Sequence, residues 1–218
     1  MLVGAHDAGA YREYQGVGDD NWATSSVFAQ EEDLLHQMIW GVRFVDIRCG
    51  FYPTTDERFW LVHGIIKTHP MIEGIESVRT FLRNTQEIVV WEVNGFEQTW
   101  TAEAHEEYKS LLKSEFKEWL VKPGQEGWKT PLKDIWDREG LAEGQGRIII
   151  TYNTGYTDPE TFFPEVLERW GNKDDPQALR DYLVDEVGNA AGNPYYQPWK
   201  PNCQMTPNTE DIIGGRCG

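Results

Sequence analysis

Gly41-Val42-Arg43-Phe44-Val45-Asp46-Ile47-Arg48-Cys49-Gly50 and, after a short linker, Phe59-Trp60-Leu61-Val62-His63-Gly64 are two apolar runs, each ending in ionisable residues and a glycine. On an extended strand Phe44, Asp46 and Arg48 share one parity and project to one side. Phe59, Leu61 and His63 do the same on the second strand. Charges placed where a core should lie are rarely buried unless paired. By itself the stretch fits either a salt bridge at a strand end with a capping histidine, or reactive groups lining a site.

The N-terminus favours the second arrangement. Leu2-Val3-Gly4-Ala5-His6-Asp7-Ala8-Gly9 is a further short strand ending in a histidine, an acid and small residues. Three consecutive strands therefore end in His-Asp, Asp-x-Arg and His-Gly. In this order and combination they resemble the X domain of the phosphatidylinositol-specific phospholipase C family. The family pattern reads Gly-[Ala/Thr/Ser]-His-[Asp/Asn]-[Ser/Ala], then Gly-[Val/Ile/Ala]-Arg-x-x-Asp-[Ile/Leu]-Arg, then a strand closing on His-Gly. The likeness runs from Leu2 to about Thr154. It implies an α/β fold, a TIM-type (β/α) barrel that is distorted and incomplete in this chain.

Composition is consistent with one domain over residues 1–218 with a sizeable core. Ten tryptophans, nine tyrosines and nine phenylalanines supply bulk for that core. No run of about 18 apolar residues suggests a membrane span. The first strand begins one residue after Met1, no signal peptide is visible and the chain ends at Gly214-Gly215-Arg216-Cys217-Gly218, so a fragment is expected; five or six readable strands rather than eight imply that it lacks its C-terminal strands. The net charge of −16 argues against nucleic acid as a partner and against broad adsorption to anionic membranes. The motif strands nevertheless carry His6, Arg12, Arg43, Arg48, His63, Lys67 and His69, a local cationic patch suited to an anionic substrate. Of three cysteines, Cys203 and Cys217 could pair, and Cys49 reads as a packing residue facing away from the site.

In chain order, Ser25-Ser26 can cap a helix reaching Trp40. A helix follows Pro70, with Ile72, Ile75, Val78 and Leu82 at helical spacing. Residues 87–94 read as a buried strand, 99–120 as a long amphipathic helix, and 130–131 as the start of a short helix. Residues 147–152 are a fifth strand. Helices are expected over 159–170 and 176–187, and a short sixth strand over 203–205. Strands alternating with helices predict a parallel sheet.

In a barrel of this kind reactive residues sit at the C-terminal strand ends. Cleaving a phosphodiester beside a hydroxyl needs a base, an acid and a cation for the phosphate oxygens. Imidazole titrates near neutral pH and can serve as either base or acid, each role contributing roughly 10²–10⁴ in rate. The resemblance implies His6 as base and His63 as acid, with the inositol 2-hydroxyl attacking to form a cyclic phosphate. Arg48 would hold the phosphate with its planar fork, Asp7 would orient Arg48, and Asp46 would complete the network. Glu92, Asn94, Tyr152 and Asn153 are the expected substrate-binding residues.

Calcium-dependent relatives carry an acid where this chain has Arg48, and related glycerophosphodiesterases bind magnesium through an acidic pair on the same strand. A guanidinium there would repel a metal, so no cofactor and no metal are expected. Asn94 stands where the bacterial pattern has a lysine, and Tyr152 and Asn153 stand where relatives have basic residues that grip inositol. No late acid is evident as a partner for His6. The implied partner is a phospholipid or inositol-phosphate substrate, with peripheral membrane contact and a monomeric chain. Compartment stays open, secreted or peripheral to a membrane. The rival readings are a non-catalytic phospholipid- or inositol-phosphate-binding barrel and a metal-dependent glycerophosphodiesterase-like enzyme.

Overall fold

The computed structural model describes residues 2–12, 27–138, 140–190 and 197–206. They form two compact units: one of residues 2–12 and 28–165, the other of Val27 and the described residues from Val166 onward. In the first unit the order is β1 (Val3–Ala5), α1 (Leu34–Ile39), β2 (Val42–Phe51), β3 (Phe59–His63) and β4 (Ile66–Pro70). There follow α2 (Met71–Asn84), β5 (Ile88–Glu97), α3 (Ala102–Glu115), α4 (Leu132–Trp136) and β6 (Arg147–Tyr152). The second unit holds β7 (Leu167–Trp170), α5 (Pro176–Ala190) and β8 (Trp199–Asn202), with β7 and β8 paired in parallel.

The six strands of the first unit run β4-β3-β2-β5-β6, with β1 also on β2. Among the described residues this sheet does not close. β2, β5 and β6 are parallel, as alternating strands and helices predict. One edge of the ten-residue β2 serves two partners. β1 pairs in parallel with its first half, Val42 to Val45, and β3 pairs antiparallel with Cys49 to Phe51.

The antiparallel pairing corrects the expectation of a wholly parallel sheet. β3 and β4 form a hairpin across Gly64 and Ile65, whose two residues leave no room for a crossover helix. β4 itself was not anticipated, because Ile66-Lys67-Thr68-His69-Pro70 carries little apolar alternation.

Parity sorts the sheet into two faces. Val45, Ile47, Cys49, Val89, Trp91, Val93, Ile148, Ile150 and Tyr152 face the helices and join Leu34, Met38, Ile75, Val78, Leu82, Tyr108, Leu112 and Phe116 in the main core. Burying each large apolar side chain contributes about 1.5–3 kcal/mol. The opposite face carries a smaller cluster of Val90, Val121, Ile135, Ile149 and Phe163, with Phe44 packed on it. One step further along the same strands the apolar layer gives way to Asp46, Glu92 and Thr151, which are register partners.

Helix limits follow local chemistry. α1 starts later than expected, at Leu34, where the Asp33 carboxylate accepts from the His36 N–H at 2.8 Å; Ser25-Ser26 lie outside the described residues. α3 starts at Ala102 because Thr101 caps it through the Ala104 N–H, and it ends at Glu115. The helix expected over 159–170 is absent. Pro164 has no N–H to donate and biases Phe163 toward extended backbone. Phe163 accordingly bridges Thr151, and 167–170 is β7. The late strand lies at Trp199–Asn202 rather than 203–205. Cys217 lies outside the described residues. Cys49 is buried, its Sγ 3.1 Å from the Tyr108 hydroxyl, and burial pushes its thiol up to about 12.

Candidate active site

The turn after β1 sets the site. Asp7 has φ of +45°, a left-handed conformation that non-glycine residues seldom adopt and that aspartate tolerates better than most. The turn closes on itself where the Ala10 N–H donates to the Asp7 carbonyl at 2.8 Å. It is tied to β2 by the Ala8 N–H donating to the Asp46 carbonyl at 2.9 Å, and by the Asp7 N–H reaching Asp46 Oδ2 at 3.3 Å. Two side-chain amides hold its outer rim: Gln30 Nε2 donates to the His6 carbonyl at 2.7 Å and Gln37 Nε2 to the Ala8 carbonyl at 2.9 Å.

Asp7 is the meeting point of the cluster. Arg48 Nε contacts its Oδ1, while His63 Nε2 and His6 Nε2 lie 3.4 and 3.6 Å from its Oδ2. His6 Nδ1 is 3.1 Å from Asp46 Oδ2. The two carboxylates are buried, whereas the side chains of His6, Arg48 and His63 are 33, 29 and 31% exposed. Three donor-bearing side chains thus reach solvent from a floor of buried acid. Burial raises the Asp7 carboxyl above the usual carboxylate range, against the opposing pull of Arg48 and the two histidines and with some help from Asp46.

The structure brings His6, Asp7, Asp46, Arg48 and His63 into one cluster. Glu92 is fully buried on the same face as Asp46, its register partner. Asn153 Nδ2 lies 3.3 Å from both Glu92 Oε1 and Asn94 Oδ1, so these three residues form a polar group beside the cluster. Tyr152 is not brought there. It faces the helix layer, where its hydroxyl lies 2.9 Å from His105 Nδ1 and its ring stacks on Phe162. Strand parity is the reason: Thr151 and Asn153 take the site side and Tyr152 the other.

Sequence reading passed over four supporting residues: Gln30, Thr68, Gly95 and Thr151. Parity with Asn153 could have found Thr151. Nothing local marks the others. His6, Asp7 and Asp46 each present a ligand atom within 4.8 Å of one another, a geometry that could hold a divalent cation. Arg48 on Asp7 Oδ1 competes for the same carboxylate.

No protein-family model matches the chain. It is 25% identical over 182 residues to PI-PLC X domain-containing protein 1 of Danio rerio, a match covering 80% of this chain and 53% of that protein. The chain therefore spans about half the length of this curated relative. Among solved structures it is similar to a mutant phosphatidylinositol-specific phospholipase C from Staphylococcus aureus, with a TM-score of 0.67, 16% identity, and coverage of 98% of this chain and 77% of that one. A second structure of that enzyme, from work on its membrane binding, gives a TM-score of 0.67 at 17% identity, covering 100% and 74%. The sequence match and the shared fold support the phosphatidylinositol-specific phospholipase C X-domain family.

Proposed function

With that family as the chain's kin, we propose that it is a phosphodiesterase of the phosphatidylinositol-specific phospholipase C type, using two histidines and an arginine without a required metal. The observation that carries this reading is the convergence of His6, His63 and Arg48 on the one buried carboxylate of Asp7.

Asp46 beside Nδ1 of His6 supplies the acidic partner that the sequence left open. With Nδ1–H donating to Asp46, Nε2 of His6 carries the lone pair and takes the proton of the inositol 2-hydroxyl. The oxygen so activated attacks phosphorus. The bond from phosphorus to the glycerol oxygen breaks, and His63 gives that oxygen its proton. The products are an inositol cyclic phosphate and a diacylglycerol, and no oxidant or other co-reactant is required. Arg48, held by Asp7, binds the non-bridging oxygens and offsets the charge that builds on them. Asn94 and Asn153 would accept and donate hydrogen bonds to the headgroup hydroxyls, with the fully buried Glu92 holding the Asn153 amide rather than meeting the substrate as the sequence led one to expect.

The substrate is a phospholipid or inositol phosphate met at a membrane surface by a monomeric chain. The test is release of diacylglycerol from phosphatidylinositol vesicles by the purified protein in EDTA. Turnover in EDTA that disappears in His63→Ala supports the reading. A second reading rests on the donor atoms of His6, Asp7 and Asp46, and it predicts activity that is lost in EDTA and returns with calcium or magnesium. Vesicle binding with no turnover under any of these conditions would favour a non-catalytic binding barrel.

A further inference from the structure

The β3–β4 ladder carries an irregularity beside the site. Leu61 pairs with His69 and Val62 with Lys67, so Thr68 is the extra residue of a β-bulge. Bulges turn a side chain out of its regular direction and are common next to active sites. Here the Thr68 hydroxyl lies 2.9 Å from the Gly9 carbonyl and 2.9 Å from the Leu61 carbonyl. Its single proton is shared between the two acceptors.

These acceptors belong to the two segments that carry the histidines. Gly9 lies in the turn that holds His6 and Asp7, which the Ala10-to-Asp7 hydrogen bond closes. Leu61 is two residues before His63 on β3. The segments also touch directly: a Cβ built on Gly9 would lie 2.9 Å from Leu61 Cδ2. Hydrogen bonds from Ala8, Gln30 and Gln37 tie the turn to β2, to residue 30 and to α1. Thr68 ties it to the strand bearing His63.

We propose that Thr68 is a positioning residue that clamps the His6–Asp7 turn onto the His63 strand and so sets the His63–Asp7 separation of 3.4 Å. This inference rests on the two-histidine reading above. A displacement of about 1 Å in a reacting geometry can cost on the order of a hundredfold in rate.

The test compares crystal structures and kinetics of wild type, Thr68→Val and Thr68→Ser. Valine keeps the branched shape and removes only the hydroxyl. The expected result is a longer His63–Asp7 separation in Thr68→Val and a kcat about ten- to a hundredfold lower. KM should stay near wild type, and Thr68→Ser should restore both kcat and the separation. A role in stability alone would lower the melting temperature and leave kcat per folded molecule and the separation unchanged; that outcome overturns the proposal. So does failure of serine to restore what valine removes. If wild type cleaves no phosphodiester, the proposed function fails, while the His63–Asp7 separation in the three crystal structures still decides the role of Thr68.

Discussion

Arg48 lies across Gly95. The two are register partners on β2 and β5, just past an irregularity between Ile47 and Arg48, and a Cβ built at residue 95 would sit 3.0 Å from Arg48 Cγ and 3.3 Å from its Cβ. The bare backbone of Gly95 gives the arginine stem a flat bed on which to reach Asp7. Gly95→Ala would push that stem aside by a few tenths of an ångström. We expect it to lower kcat about tenfold with a melting temperature close to wild type. Turnover within twofold of wild type would show that the guanidinium finds Asp7 by another path.

Arg48→Lys should be crippled although charge is conserved. A lysine ammonium is a point charge and cannot match two phosphate oxygens with a planar fork. It also loses the Nε contact to Asp7. One lost charge-assisted contact costs about 1.5–3 kcal/mol, or roughly ten- to a hundredfold in rate. The measurement is kcat/KM in EDTA alongside a melting curve. Near-normal turnover in a folded variant would make Arg48 a structural ion-pair residue and move phosphate binding elsewhere. Arg48→Asp should be worse in EDTA, and with Asp46 it could acquire activity that depends on calcium.

Asp7→Asn separates activity from stability. Asparagine accepts the left-handed backbone of residue 7 and keeps the shape of the side chain. It removes the charge shared by Arg48, His6 and His63, so kcat should fall by about a hundredfold or more. Stability should move the other way. Burial raises the Asp7 carboxyl, so the folded state holds a proton there more readily than the unfolded chain. Such a group makes stability fall as pH rises through its titration, and ionised Asp7 is a net cost at neutral pH. The melting temperature of Asp7→Asn at pH 7 should equal or exceed that of wild type; a clear drop would contradict this sign.

His105 should give the fold a separate acid sensitivity. It is buried on α3 among Phe96, Trp100, Tyr152 and Tyr156, with Lys109 and Glu106 as charged neighbours. Burial first, and then the Lys109 ammonium, lower its pKa, against a smaller opposing pull from Glu106. The unfolded chain therefore protonates first as pH falls. The stabilisation is complete above the ordinary value of 6.5 and is lost as pH drops through it. The contribution approaches at most about 1.4 kcal/mol per pH unit, or roughly 3–6 °C in melting temperature for a chain of this size. Melting curves at pH 7.5, 6.5 and 5.5 should fall more steeply for wild type than for His105→Gln. Equal slopes would remove His105 as the source.

The sequence by itself determined which strands end in the ionisable groups that cluster. Parity along Phe44-Asp46-Arg48 is a local property of extended backbone, and it survives folding, whereas Phe59 and Leu61 of the second strand join the main core while His63 meets Asp7. Helix α2 after Pro70 and the strand over residues 147–152 were legible for the same reason: their apolar spacing needs no distant partner to be read. Tertiary structure decided how the groups meet. The backbone N–H of Asp7 reaches Asp46 across 39 residues, and the Thr68 hydroxyl reaches Gly9 across 59. Only the meeting of β1, β2 and the β3–β4 hairpin made Asp7 the common partner of Arg48 and both histidines, and made Asp46 the acid beside His6. Parity set Tyr152 opposite Thr151 and Asn153, and only the pairing of β6 with β5 and the contact of Tyr152 with His105 decided which of the two faces is the site side. Spacing along a chain encodes the direction of a side chain within its own strand. Which carboxylate, carbonyl or bare glycine lies opposite depends on strand order, pairing sense and bulges, and those come from contacts between segments far apart in the chain.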